Sequence, residues 1–281
     1  MLKRYLVYLQ YILPQFFCSM LIGKLATSRI PWLKNVFIRS FIKKYHIDLN
    51  AVLDANPAHY PTFNSFFIRH LKTTLRPIDN DPNHLVSPVD GRIMEMGQLE
   101  SKQTLRAKGA YFDLTALLGK DAALETIFRD SAFASFYLAP HDYHRVHMPF
   151  SGILQQTIYL PGKLFSVNPT ACEVIPHIYS RNERLICYFH TEKGPMAVIF
   201  VGAMIVGNIQ TVWLEKPVRA KTLQALNYPN NDINLKKGTE LGHFMMGSTV
   251  IILGKHVEWF SSLKPGFPIK YGQYIGKFSS T

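Results

Sequence analysis

From Leu85 onward the chain breaks into short apolar runs separated by Gly, Pro and Asn, and this texture most constrains its fold. Runs at 85–86, 93–94, 133–138, 153–160, 185–189 and 197–206 are bounded by turn residues and predict strands. Most connections between them are too short for crossover helices, so the pairing should be antiparallel. A further run, Val250, Ile251, Ile252 and Leu253, reads as a buried strand and follows directly on Met246-Gly247-Ser248-Thr249. A short helix is expected over residues 114–128. Taken alone, a Gly-Ser-Thr triplet entering a strand is a turn or a bulge.

The first 75 residues have a different pattern. Leu6, Leu9, Leu13, Phe16, Phe17 and Met20 recur at helical spacing behind Lys3 and Arg4, and Pro14 should break that helix. A bilayer span needs about 20 predominantly apolar residues. The stretch 5–25 approaches that length, but Gln10, Pro14 and its aromatics spoil it. Ala26-Thr27-Ser28 is a weak cleavage signal, so no signal peptide is assigned. A second helical face carries Trp32, Leu33, Val36, Phe37, Phe41 and Tyr45, with Lys34, Arg39, Lys43 and Lys44 beside it. Basic, aromatic-rich amphipathic helices suit the surface of an anionic bilayer, with a cap on the protein's own core as the competing role. Phe63, Phe66 and Phe67 then lead into Arg69, Lys72 and Arg76, and Arg76-Pro77 should end that helix. The expected fold is α+β: N-terminal amphipathic helices, residues 1–75, packed on a mostly antiparallel β-rich body, residues 76–281.

Composition narrows the function classes. A formal charge of +12 over 281 residues implies an anionic partner. Zinc-finger spacing, RNP-like stretches, Walker loops and dinucleotide fingerprints are all absent from the sequence, so nucleic acid is not the expected partner. Cys18, Cys172 and Cys187 form no CxxC pair and read as reduced thiols.

The richest chemical stretch runs from Tyr137 to Pro149 and holds His141, His144 and His147. On a helix His144 and His147 would share a face; in an extended segment they would point oppositely. A metal site is the obvious guess, but Pro140 and Pro149 oppose a long helix and no matching ligand cluster lies elsewhere, so no metal is expected. Pro88-Val89-Asp90-Gly91 reads as a turn. An aspartate can also orient an imidazole that deprotonates a serine, and Asp90, one of these histidines and Ser248 supply such a set.

In order along the chain, Pro88-Val89-Asp90-Gly91, the stretch Tyr137-Leu-Ala-Pro-His-Asp-Tyr-His-Arg-Val-His-Met-Pro149 and Gly247-Ser248-Thr249 resemble the motifs of phosphatidylserine decarboxylase proenzymes. Thr62-Phe63-Asn64-Ser65-Phe66-Phe67, the stretch 161–168 and Arg181-Asn182-Glu183-Arg184 agree, so the resemblance covers nearly the whole chain. Met246 stands where many bacterial members have leucine, a volume-conserving change.

The resemblance implies self-cleavage between Gly247 and Ser248 into a β chain, 1–247, and an α chain, 248–281. Ser248 would attack the Gly247 carbonyl with His147 as base and Asp90 orienting it. It would then become a covalent pyruvoyl group (a pyruvate-derived cofactor) and the Schiff-base site for phosphatidylserine. His144 is assigned to decarboxylation and Tyr137 to shaping the substrate pocket. The product would be phosphatidylethanolamine. Peripheral attachment to the cytoplasmic face of a cell membrane is expected, and a homodimer is compatible. Two other readings remain: a membrane-associated serine hydrolase using Asp90, His147 and Ser248 without cutting itself, and a non-enzymatic anionic-lipid-binding protein. The hydrolase lacks the second glycine of a G-x-S-x-G elbow.

Overall fold

The apolar runs assemble into one large antiparallel sheet. The computed structural model describes residues 2–99, 104–107, 110–204, 208–217, 220–230, 232–245 and 248–279. Across the sheet the strands are ordered Gln224–Asn227, Gly152–Leu160, Arg184–Thr191, Gly194–Val201, Ser248–Gly254, Ala132–Leu138, Gly91–Gln98 and Pro268–Ile269. Asn234–Leu235 adds to Gly152–Leu160. All these pairings are antiparallel, although only Arg184–Thr191 and Gly194–Val201 are joined by a tight turn. Ser248–Gly254 lies at the centre and every one of its residues is buried. Covered on both faces, it can be apolar at successive positions instead of alternating, which explains Val250 to Leu253.

Three boundaries differ from the sequence expectation. The helix expected over 114–128 is two, Leu114–Leu117 and Ala122–Phe128. Gly119 and Lys120, both at positive φ, divide them, and the Asp121 carboxylate caps the second by accepting from the Leu124 N–H at 3.0 Å. The strand expected over 197–206 ends at Val201, and residues 205–207 lie outside the described residues. The helix expected to reach Arg76 stops after Phe63–Phe67, opened by a reciprocal Thr62–Ser65 capping box. Arg69 leaves it to donate to the Phe67 and His141 carbonyls.

The N-terminal region contains helices α1 (Leu2–Leu9), α2 (Gln15–Ala26), α3 (Pro31–Tyr45) and α4 (Phe63–Phe67). Pro14 sits at the corner between α1 and α2, as expected of a helix breaker. Ala26, Ile38, Phe63, Phe66 and Phe67 form a separate small core against Phe41. No helix among the described residues is long and apolar enough to cross a membrane.

Helix α2 is turned inside out. Its buried residues are Gln15, Ser19 and Ala26, whereas Phe16, Phe17, Met20, Leu21 and Leu25 are exposed. The buried glutamines attach this corner to the β-rich body. The Gln15 side chain donates to the Gln10 carbonyl at 2.7 Å and accepts from the Leu164 N–H at 2.8 Å. Gln10 accepts from the Ser166 N–H at 2.7 Å. Replacing both with alanine leaves the backbone amides of Leu164 and Ser166 unpaired, at about 1–3 kcal/mol for each orphaned group. The double variant should therefore lower the urea midpoint and accelerate hydrogen exchange at Leu164 and Ser166; unchanged exchange there would refute the attachment.

Candidate functional site

Ser248 occupies an asymmetric position in the sheet. Its ladder partner on one side is Leu138, while the strand on the other side ends at Val201, opposite Thr249. Met246 and Gly247, the upstream half of the expected cleavage motif, lie outside the described residues. Ser248 is fully buried, and its Oγ has no hydrogen-bond partner among the described residues.

The histidine stretch enters from a second sheet. Arg145–His147 pairs with Glu240–Phe244, which pairs with Ile209–Thr211. The Phe244 N–H donates to the His144 carbonyl at 3.0 Å, four residues before Ser248. This stretch is therefore extended, not helical, and no group of three or more His, Cys, Asp or Glu among the described residues is arranged to hold a metal. His141 lies in the exposed turn before it.

His144 is fully buried with its ring 4.3 Å from that of Phe67. Its Nδ1–H donates to the Asp142 carbonyl at 2.8 Å, because a carbonyl can only accept. That fixes the proton on Nδ1 and leaves Nε2 as a buried lone pair without a partner among the described residues. Desolvation pushes this imidazole down to about 3, so it is neutral at ordinary pH.

His147 is held the same way, its Nδ1–H donating to the Gly238 carbonyl at 2.8 Å, while Nε2 faces the Tyr143 hydroxyl at 3.4 Å. Burial also depresses its pKa, against the pull of Glu240 and Asp90. One face of the ring stacks on Tyr271, centroids 4.0 Å apart and planes 8° from parallel.

The turn carrying Asp90 is tied to this strand, since the His147 N–H donates to the Pro88 carbonyl at 2.8 Å. Gly91 lets the same turn run close against the strand Ala132–Leu138, where a Cβ would collide with the Tyr137 carbonyl oxygen. The Asp90 carboxylate accepts from Arg76 Nε at 3.0 and 3.1 Å, from Arg76 Nη2, and from the Tyr271 N–H at 2.9 Å. Among the described residues no hydrogen bond joins Asp90 to His147, or either histidine to Ser248. The Asp90 charge favours the protonated His147 imidazole, against its burial. Sequence reasoning did not find Arg76, which it took as one residue of a basic run, or Tyr271, which has no local motif.

Tyr137 lies on the strand beside Ser248–Gly254 and lines a cavity of about 370 Å³ with Phe67, Pro140, Ser166, Val167 and Ile22. Burial pushes its phenol up to about 12. A second apolar cavity, about 380 Å³, lies between α2 and α3 and shares Ile22, Phe41, Tyr45 and Phe63 with the first. A larger groove of about 580 Å³ beside His190 and Lys237 contains none of the expected site residues.

Known proteins resemble this chain along nearly its whole length. Residues 63–277 match the family described as phosphatidylserine decarboxylase, and residues 6–46 match a second description, PSD. A Pseudomonas fluorescens strain Pf0-1 protein named phosphatidylserine decarboxylase proenzyme is 44% identical over 283 residues, covering 99% of both chains. Proteins of the same name from Alcanivorax borkumensis and Coxiella burnetii strain RSA 331 are 44% and 45% identical, covering 98% and 95% of this chain and 96% of each relative. With the family matched across most of its length and relatives aligned nearly end to end, the chain belongs to the phosphatidylserine decarboxylase family.

Proposed function

We propose that this chain is the precursor of a pyruvoyl-dependent carboxy-lyase that converts phosphatidylserine to phosphatidylethanolamine after cutting itself between Gly247 and Ser248. The observation that carries the reading is that two groups able to do this chemistry, Ser248 Oγ and His144 Nε2, are buried and without a partner among the described residues. Orphaned buried groups cost stability and accumulate where chemistry needs them. A hydrolase would draw on the same Asp90, His147 and Ser248, but the chain lacks the second glycine of its G-x-S-x-G elbow.

In the cleavage step Ser248 Oγ attacks the carbonyl carbon of residue 247 and gives its proton to the base assigned to His147. The amide becomes an ester as the Ser248 nitrogen leaves. Loss of the Ser248 α-proton expels the new carboxylate of residue 247. Tautomerisation and hydrolysis then release ammonia and leave a pyruvoyl end on 248–281. Ser248 and the unpaired His144 nitrogen fit a small carbonyl group at this position, which supplies an electron sink for loss of carbon dioxide. His144, neutral and with its lone pair on Nε2, holds or moves a proton in that step. Tyr137 shapes the cavity.

The anionic substrate fits a basic protein. Phe16, Phe17, Met20, Leu21 and Leu25 on α2, with Trp32 and Val36 on α3, are large apolar side chains left exposed. With Lys24, Lys43 and Lys44 nearby in sequence, they suit a peripheral seat on the cytoplasmic face of a cell membrane. The cavities behind α2 and α3 would then open toward the lipid.

Intact mass under denaturing conditions should give two chains, 1–247 and 248–281, for wild type and one for Ser248→Ala; an uncut, folded wild type would overturn the reading. His144→Ala should still mature but lose at least 100-fold in carbon dioxide release from phosphatidylserine vesicles. Stability of the Ser248→Ala precursor should depend on acidity with a definite sign. His144 is neutral in the fold down to about 3 but takes a proton near 6.5 when unfolded. The unfolded state therefore binds more protons in that window. Stability is fully present above 6.5 and falls as the pH drops, by about 1.4 kcal/mol per unit for this group. Urea midpoints between pH 7 and 4 check it, and the slope should flatten in Ser248→Ala/His144→Ala.

A further inference from the structure

Asp90 and His147 belong to the set assigned to self-cleavage, yet Tyr271 stands between their roles. Its backbone N–H donates to the Asp90 carboxylate at 2.9 Å, and its ring covers His147 at 4.0 Å and 8°. Arg76 closes the other side of Asp90. The Tyr143 ring stacks on both His147 and Tyr271, with centroids 5.7 and 5.4 Å apart. The imidazole therefore has its edge fixed by the Gly238 carbonyl and its plane fixed by Tyr271. We propose that Tyr271 is the positioning residue of His147, and that Asp90, clamped by Arg76, acts on the imidazole by anchoring Tyr271 as well as by its charge. The inference rests on the self-cleavage reading and extends it to a residue without a motif of its own.

A side-chain hydroxyl is not required by this arrangement; a flat ring is. Tyr271→Phe keeps the stack, Tyr271→Leu keeps apolar volume without a planar face, and Tyr271→Ala opens the site to water. The groups facing His147 are Tyr143 and Arg145 from its own stretch, Glu240 and the Gly238 carbonyl from the neighbouring strand and turn, and Asp90 and Tyr271. Removing the ring lessens desolvation, so the imidazole should become easier to protonate and the acid limb of maturation should move to higher pH.

Maturation is followed by intact mass on freshly translated full-length chain between pH 5 and 9. His147 is titrated separately by NMR of the labelled, uncut Ser248→Ala chain with each Tyr271 variant. The expected result is Phe within twofold of wild type with an unchanged titration. Leu should be at least tenfold slower, and Ala slower still, both with the midpoint raised. If Ala does not fold, Leu decides. The proposal is overturned if folded Leu matures at the wild-type rate, if Phe is as slow as Leu, or if Leu is slow while the titration is unmoved, which would mark a purely structural role. A wild-type chain that never cuts itself would instead defeat the self-cleavage reading, and the titration would still test Tyr271.

Discussion

The hydrogen-bond ladder on both sides of Ser248–Gly254 is the constraint on which the rest depends. From Thr249 to Gly254 each residue faces a partner in Ala132–Leu138 and another in Gly194–Val201. Buried backbone groups cannot leave such a ladder without losing partners that water does not replace. A cut just before Ser248 therefore severs the chain without freeing the strand. The segment 248–281 also supplies Tyr271 and the strand Tyr274–Phe278, which lies between His84–Val86 and Val257–Trp259. Ser248 is the one position in the central strand where the ladder is one-sided, and that is where a reactive hydroxyl can sit in an otherwise closed core.

Electrostatics follow from that burial. Both histidines donate Nδ1–H to backbone carbonyls, so the surrounding chain chooses their tautomer and low polarity keeps them neutral. Two buried ion pairs lie nearby: Arg76 with Asp90, and Arg145 with Glu240 at 2.6 Å. An unpaired charge at such depth would cost several kcal/mol, and these two carboxylates each meet a guanidinium. Arg145 Nε also donates to the Ile68 carbonyl at 2.8 Å, and Arg69 donates to the His141 carbonyl, so two arginines clamp the aromatic α4 segment over His144.

Much of the site was legible because its residues sit in compact motifs. Asp90, Tyr137, His144, His147 and Ser248 are each embedded in a distinctive local string. Arg76 and Tyr271 were not legible, since their roles depend on contacts across 14 and 181 residues to Asp90. The three histidines at spacing three left open whether the stretch is helical or extended, and the structure makes Arg145–His147 a strand with His141 in an exposed turn.

The sequence by itself determined the α+β class, the antiparallel pairing, the break at Pro14 and the candidate chemistry, because period, turn residues and motif order are local properties. Only the tertiary structure decided which way the N-terminal helices face. Periodicity marks an apolar stripe but not what covers it, and the amides of Leu164 and Ser166 drew Gln15 and Gln10 inward, leaving the large apolar residues of α2 outside. It likewise decided that Asp90 meets Arg76 and Tyr271 and not the imidazole. Those partners lie far apart in the chain, and packing alone brings them together.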